Sequence, residues 1–412
     1  MRLSLSIAVI IACHVTPPTV QAFTSSPSSF ILRPAFAPQI VSSSRLYEGD
    51  DAAAAATESP STDVKRKKLG LITFDLDDTL YPIAPVISEA NDAFAKAMSN
   101  FGFDGIKPSD IDETGRQIRE EIAAEDPAAA AALSHTEIRM MAIRRQMETV
   151  TFLRTLEDVA DDWATPVSSL SPIIVQNAKK WASKEVSPSV VQAVYNAWEM
   201  ERHHSGERHI YPDLLDTLKK IKEEHPGVVI GAVTDGKANP MLMTFTLAPL
   251  FDFCMSWEDD QSGRRQFFKE LSETESDAQL KWIYESALDK YRELTAARSS
   301  FKAGAGDDDE DDVDDRVWIH VGDDLAYDVG GSHACGAKTI LAELADKYEQ
   351  TARHRFSGKS KLPSWSMNSK IELRNRKKMN DAAEGNVDKT VSYITALPEA
   401  INEILEEEAE SD

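Results

Sequence analysis

Two carboxylates stand two residues apart where an apolar run ends. Leu69-Gly-Leu-Ile-Thr-Phe74 is followed by Asp75-Leu-Asp77-Asp-Thr-Leu-Tyr-Pro82. If the run is a strand, both side chains can enter one crevice as the chain leaves the sheet. One carboxylate can then attack phosphorus and form an aspartyl-phosphate. The other can protonate the leaving oxygen and afterwards activate water. Like charges this close require a cation, and Mg²⁺, which takes carboxylate and carbonyl oxygens, suits both them and a phosphate. Two further polar groups follow apolar runs. Val233-Thr234-Asp235-Gly236 offers a hydroxyl donor and a glycine that lets backbone amides approach an anion. Val321-Gly322-Asp323-Asp324-Leu-Ala-Tyr-Asp328 is an acidic cluster suited to hold a metal from the far side. Singly these are weak signals, since an Asp-x-Asp or a Thr-Asp-Gly arises easily by chance. Their strength is that each follows an apolar strand, in the order this chemistry requires.

The elements that must carry these groups are legible from the spacing of apolar residues. Leu69–Phe74, Val228–Val233, Val317–Val321, Ala337–Leu341 and Val391–Ile394 read as short buried strands of a parallel sheet. From Val86 to about Arg208 the pattern is helical: Val86, Ala90, Phe94, Ala97 and Phe101 recur every three to four residues, and Ile122–Leu133 and Glu137–Val159 continue it. Tyr211-Pro212 opens another helix, Asp213–Glu224, with proline at or near its first turn. Strands alternating with helices predict an α/β fold with a doubly wound parallel sheet. The expected domains are a core of 69–84 and 209–412 and an inserted helical domain of 85–208. Ligands of such sheets bind beyond the carboxyl ends of the strands, where the three polar groups fall.

The rest of the 412-residue chain bounds the function from outside. A formal charge of −24 repels nucleic acid and anionic membrane and favours solubility, so neither partner is expected. Met1-Arg2, the apolar Leu3–Val15 and Val20-Gln-Ala22 read as a signal peptide, 1–22, too short for a permanent anchor. The Ser- and Pro-rich 23–46, with two Arg and no acid, reads as a transit peptide. In series they resemble the bipartite plastid presequence of algae with secondary plastids, with secretion as the alternative. Residues 47–68 read as a disordered linker. Cys254 and Cys335 make no disulfide framework and read as buried small hydrophobes. The acidic run 307–315 reads as a solvated loop and the basic stretch 353–378 as a charged surface insertion.

These motifs resemble the haloacid-dehalogenase superfamily over roughly Leu69 to Leu405, with Asp75-Leu-Asp-Asp-Thr79 as its first motif, Thr234 its second and Gly322–Asp328 its fourth. The resemblance implies a Rossmann-type core with a helical cap that closes over the substrate. It implies Asp75 as nucleophile and metal ligand, and Asp77 as acid/base that lends its carbonyl to Mg²⁺. Thr234 and the neighbouring amides of Asp235 and Gly236 would hold phosphate, and Asp323 would be the third protein ligand. Asp328 and Asp324 would act behind the ligands. An acid two residues after the nucleophile points to phosphate-ester hydrolysis rather than dehalogenation. Asp-Leu-Asp-Asp-Thr-Leu-Tyr-Pro is especially similar to pyrimidine 5′-nucleotidases and related small phosphatases. The expected substrate is thus a small phosphomonoester: a nucleotide such as a pyrimidine monophosphate or flavin mononucleotide, or a sugar phosphate.

Two departures stand out. Asp235 occupies a place where the family has Asn or Gly, and the Lys-Pro of the third motif is not recognisable. A cation must still balance the nucleophile and the phosphate, and Arg265, Lys269 and Lys281 are the candidates. The missing motif keeps open a catalytically silent homologue that binds a phosphorylated ligand or a partner protein. His203-His204 reads as a solvated hinge pair, His320 as a satisfied core residue, and Arg144-Arg145 as an exposed helix face.

Overall fold

Short runs rich in Val and Ile become the strands of a single sheet. β1 (Lys68–Phe74), β2 (Val229–Thr234), β3 (Phe253–Ser256), β4 (Arg316–Gly322), β5 (Lys338–Ala342) and β6 (Lys389–Val391) pair in the order β3-β2-β1-β4-β5-β6, every pair parallel. The computed structural model describes residues 67–258, 278–303, 316–351 and 378–411, within one unit spanning Thr62–Asp412. The leader, nearly all of the linker, the run 307–315, the stretch 353–377, Arg265 and Lys269 lie outside the described residues.

Seven α-helices separate β1 from β2, and the first six form the inserted block: α1 (Ile83–Asn100), α2 (Pro108–Glu125), α3 (Pro127–Ala132), α4 (His135–Asp162), α5 (Pro172–Glu185) and α6 (Pro188–Arg208). Proline opens α2, α3, α5 and α6, where its missing N–H costs nothing. Ser134 and Glu137 form a reciprocal capping box at the start of α4. The expected continuous helix over Ile122–Leu133 is broken at Asp126-Pro127, where Asp126 accepts from the Ala129 amide and starts α3. The block has its own core, including Phe94, Met98, Ile143, Met147, Tyr195 and Trp198.

Helices cover both faces of the sheet, as parallel strands require. α7 (Leu214–Glu224) and α9 (Leu397–Ser411) bury Leu218, Ile221, Ile401 and Ile404 against Ile72 and Phe74. α8 (Ala278–Ala303) packs Ile283, Tyr284 and Ala287 with Leu71, Val233 and Trp318 on the other. Three details differ from the sequence reading. β3 is a four-residue strand whose Phe-Cys-Met-Ser carries too little pattern to read. α7 starts at Leu214 because Asp213 turns left-handed, with φ 67°. β6 begins at Lys389, and Ile394 falls in a 3₁₀ turn beyond it. The central place of β1 has a functional consequence: its carboxyl end lies between those of β2 and β4, so the three polar motifs share one edge.

Candidate active site

The chain leaves β1 with the Asp75 amide still bonded to the Val321 carbonyl at 2.9 Å. It then turns sharply, with Asp78 at φ 63°. Asp78 holds this turn: its carboxylate accepts from the Ile83 amide and from the amide and hydroxyl of Thr351, and its carbonyl accepts from Tyr211 and Gln350. Asp75 and Asp77 therefore emerge on a braced loop. The Thr79 hydroxyl joins the motifs, 3.0 Å from Asp323 Oδ1 and 3.4 Å from Asp75 Oδ2.

At the end of β4, one ligand atom from each of Asp75, Asp323 and Asp328 lies within 4.8 Å of the others. The Asp328 carboxylate is aimed by two donors, the Tyr284 hydroxyl (3.2 Å) and the Asp324 amide (2.9 Å). Behind Tyr284 runs a buried relay. The Trp318 indole donates to Thr73 Oγ1 at 2.9 Å, leaving the Thr73 hydroxyl proton for His320 Nδ1 at 2.8 Å. His320 Nε2 then carries the hydrogen towards the Tyr284 oxygen, 3.4 Å away. Asp324 is not in the cluster; its carboxylate accepts from the Tyr327 amide and shapes the turn. Asp328, expected behind the ligands, instead stands at ligand distance.

Burial, then the charges of Asp328, Asp323, Asp77 and Asp235, push the Asp75 carboxyl well above the usual carboxylate range. A cation bound among these carboxylates would offset that repulsion. Hard oxygen donors this closely gathered fit a hard divalent ion such as Mg²⁺.

Asp77 has different surroundings. Arg202, from the last turns of α6, pairs with its Oδ2, and the Tyr81 hydroxyl bonds it as well. Burial still raises its pKa, with Arg202 pulling the other way. Asp77 Oδ1 and Arg202 Nη1 are both buried without a hydrogen-bond partner. Beside them lies the turn after β2. Thr234 Oγ1 accepts from the Gly236 amide at 3.2 Å, and Ser256 Oγ donates to the Gly236 carbonyl at 2.7 Å. Asp235 is exposed, yet its charge acts on both Asp75 and Asp77.

Other expected residues fall elsewhere. Lys281 is half-buried on α8, where its carbonyl accepts from Cys335 Sγ at 3.9 Å, and it is not among the groups acting most strongly on Asp75 or Asp77. His203 is not solvated. It is buried, its Nδ1 lies 2.8 Å from the Glu199 carbonyl, and burial followed by the Arg202 charge pulls its pKa down to about 4, while His204 is exposed. Arg144 and Arg145 are exposed and pair with Glu148 and Glu121. Both cysteines are free and half-buried rather than buried. Arg202, Tyr81 and Tyr284 were not singled out from the sequence. A helical pattern locates Arg202 within a turn but does not say which neighbour it meets.

No protein-family model and no curated protein matches the sequence. Solved structures do resemble it. A 2-haloacid dehalogenase from Pseudomonas syringae pv. Tomato DC3000 overlaps 82% of this chain and 99% of its own at 18% identity, TM-score 0.42. A predicted phosphoglycolate phosphatase from Haemophilus somnus 129pt overlaps 81% and 98% at 11% identity, TM-score 0.34. A phosphatase-like protein from Clostridium difficile overlaps 81% and 99% at 11% identity, TM-score 0.31. Likeness at this level assigns no residue and no activity. The strand order, the helical block inserted after β1 and the three motifs at one end of the sheet make this a doubly wound parallel α/β fold with an inserted helical block.

Proposed function

We propose that this protein is a Mg²⁺-dependent phosphatase of small phosphomonoesters that works through an aspartyl-phosphate on Asp75. The observation that carries this reading is the division of labour between two carboxylates of one loop. Asp75 lies in the acidic group with Asp323 and Asp328, whereas Asp77 lies outside it, against Arg202 and the Thr234–Gly236 turn. Two titratable groups kept in unlike environments can take opposite roles.

Asp75, Asp323, Asp328 and the main-chain carbonyl of Asp77 would hold the ion. Bound there, Mg²⁺ supplies charge that offsets the carboxylates and polarises the phosphate. An Asp75 oxygen attacks phosphorus as the ester P–O bond breaks, and Asp77 gives its proton to the departing alkoxide. Water then attacks the aspartyl-phosphate phosphorus and yields its proton to Asp77, which releases phosphate and restores both carboxyl groups. The raised pKa of Asp77 suits a group that must hold a proton near neutrality. Nucleotide-like substrates come first, on the similarity of Asp75–Pro82 to pyrimidine 5′-nucleotidases, and sugar phosphates second.

A panel of phosphate esters assayed with Mg²⁺ tests the reading. Asp75→Asn should lower turnover by about a thousandfold or more with the fold intact. Asp77→Ala should be as severe on alkyl phosphates but milder on p-nitrophenyl phosphate, whose leaving group needs no proton. Equal losses on both ester types would contradict the role of Asp77, and a nearly active Asp75→Asn would end the covalent mechanism.

A further inference from the structure

Two carboxylates of the first motif, those of Asp323 and Asp328, the nearby Asp235 and a phosphate dianion together outweigh a single divalent ion. Some protein cation must reach the phosphate. Among the described residues, no Lys or Arg other than Arg202 forms an ion pair with Asp75 or Asp77.

Arg202 has the geometry for the task. It is 4% exposed, and one arm of its guanidinium, Nη2, is engaged by Asp77. The other arm, Nη1, is buried with no partner, and so is the second oxygen of Asp77. A buried, unsatisfied N–H of a charged group is costly, and a site that retains one has a use for it. The surroundings identify the use. A Cβ added to Gly236 would lie 3.1 Å from Arg202 Nη2, 3.2 Å from Asp77 Oδ2 and 3.7 Å from Thr234 Oγ1. The cap arginine, the acid/base carboxylate and the anion-cradling turn after β2 thus converge at one point. Trp198, one turn earlier on α6, lies under the guanidinium with its ring centre 5.9 Å away. The opposite hand of that contact is Arg139, 4.2 Å from the same ring and paired with the buried Asp112 at 3.6 Å. Arg202 is therefore backed by Trp198, with Nη2 at the point where these groups meet and Nη1 buried and unpartnered on the same guanidinium.

We propose that Arg202 is the phosphate-binding cation of this site, gripping Asp77 with one arm and a substrate phosphate oxygen with the other. This rests on the phosphatase reading for its ligand but on different residues. It places the cation on the inserted helical block rather than on the sheet, so that phosphate binding and the position of α6 are linked. A planar fork can hold both partners at once, and an ammonium cannot reproduce that geometry.

The test measures inorganic phosphate affinity by calorimetry in saturating Mg²⁺, together with steady-state kinetics on p-nitrophenyl phosphate, for the wild type, Arg202→Ala and Arg202→Lys of the full chain. Arg202→Ala should weaken phosphate at least tenfold and lower kcat/KM by about a hundredfold, the usual scale for one preorganised charge. Arg202→Lys should recover only part of either loss, and added guanidinium should restore activity to Arg202→Ala. If Arg202→Ala does not fold, Arg202→Lys decides alone: wild-type phosphate affinity and kcat/KM in that variant overturn the proposal. Phosphate affinity within twofold of wild type in a folded Arg202→Ala also overturns it, and leaves the phosphatase reading standing if the wild type hydrolyses esters. Arg202-dependent phosphate binding by a wild type that hydrolyses nothing supports this proposal and overturns the phosphatase reading instead. A wild type that neither hydrolyses esters nor binds phosphate ends both.

Discussion

Gly322 closes β4 next to the acidic cluster, and a Cβ there would fall 2.2 Å from Asp328 Cγ and Oδ2. No side chain fits in that space without moving the carboxylate. The absence of a side chain at 322 is thus what lets Asp328 stand at ligand distance from Asp75 and Asp323, supported by Tyr284 and the Asp324 amide. Gly322→Ala should displace Asp328, destabilise the protein by about 1–3 kcal/mol through overpacking, and weaken Mg²⁺ binding by roughly tenfold or more. Urea melts and a calorimetric Mg²⁺ titration read the two effects separately. Unchanged Mg²⁺ affinity in a destabilised variant would remove Asp328 from the ligand group. The sequence showed the acidic cluster plainly but could not separate Asp324 from Asp328, because which of them turns towards Asp75 depends on the π-helical turn Leu325–Val329.

Among the elements, α4 is anchored to the sheet in a way no periodicity announces. Glu258, just beyond β3 and 4% exposed, accepts from the amides of His135 (2.8 Å) and Thr136 (3.0 Å) in the first turn of α4. These amides are among the donors that a helix leaves unpaired at its start, and a carboxylate also complements the positive end of the helix dipole. Burial pushes the Glu258 pKa up, but His135 and the bonds from Thr136 and His135 outweigh it, and the net direction is down. Glu258→Ala should destabilise the protein by about 2–3 kcal/mol, as expected for lost bonds to a charged acceptor. It should also speed hydrogen exchange of the amides opening α4. Exchange there at wild-type rates would show that the capping box of Ser134 and Glu137 holds this end without help.

For the whole molecule, the acidic site makes stability depend on pH and metal together. Asp75 and Asp77 have raised pKa values, so their contribution is fully present below the ordinary carboxylate range and is lost as pH rises through the raised values. His203 acts in the opposite sense. Its pKa is pulled down to about 4, so its contribution is present above about 6.5 and lost as pH falls, a cost of about 2 kcal/mol by pH 5. Comparing Tm with and without Mg²⁺ at each pH cancels the His203 effect and isolates the cluster. The Mg²⁺ increment should be larger at pH 7.5 than at pH 5, because at the lower pH the ion must first displace protons. An increment independent of pH would mean that Mg²⁺ binds away from these carboxylates.

From the sequence alone came the alternation of strands and helices, the inserted helical block and the three motif-bearing strand ends, because each is a local pattern of apolar spacing or of adjacent residue types. The places of Asp75, Asp77, Thr234 and Asp323 at the strand ends were legible for the same reason, since a motif is local. β3 was not, being four residues long, and neither was the Asp126-Pro127 break in a run whose composition is helical throughout. Nor could spacing place a cation: Arg202, 125 residues beyond Asp77, meets it only because α6 returns to the end of β1. Contacts of that kind depend on how the helices pack, and packing is decided by shape and burial across the whole chain rather than by any window of it.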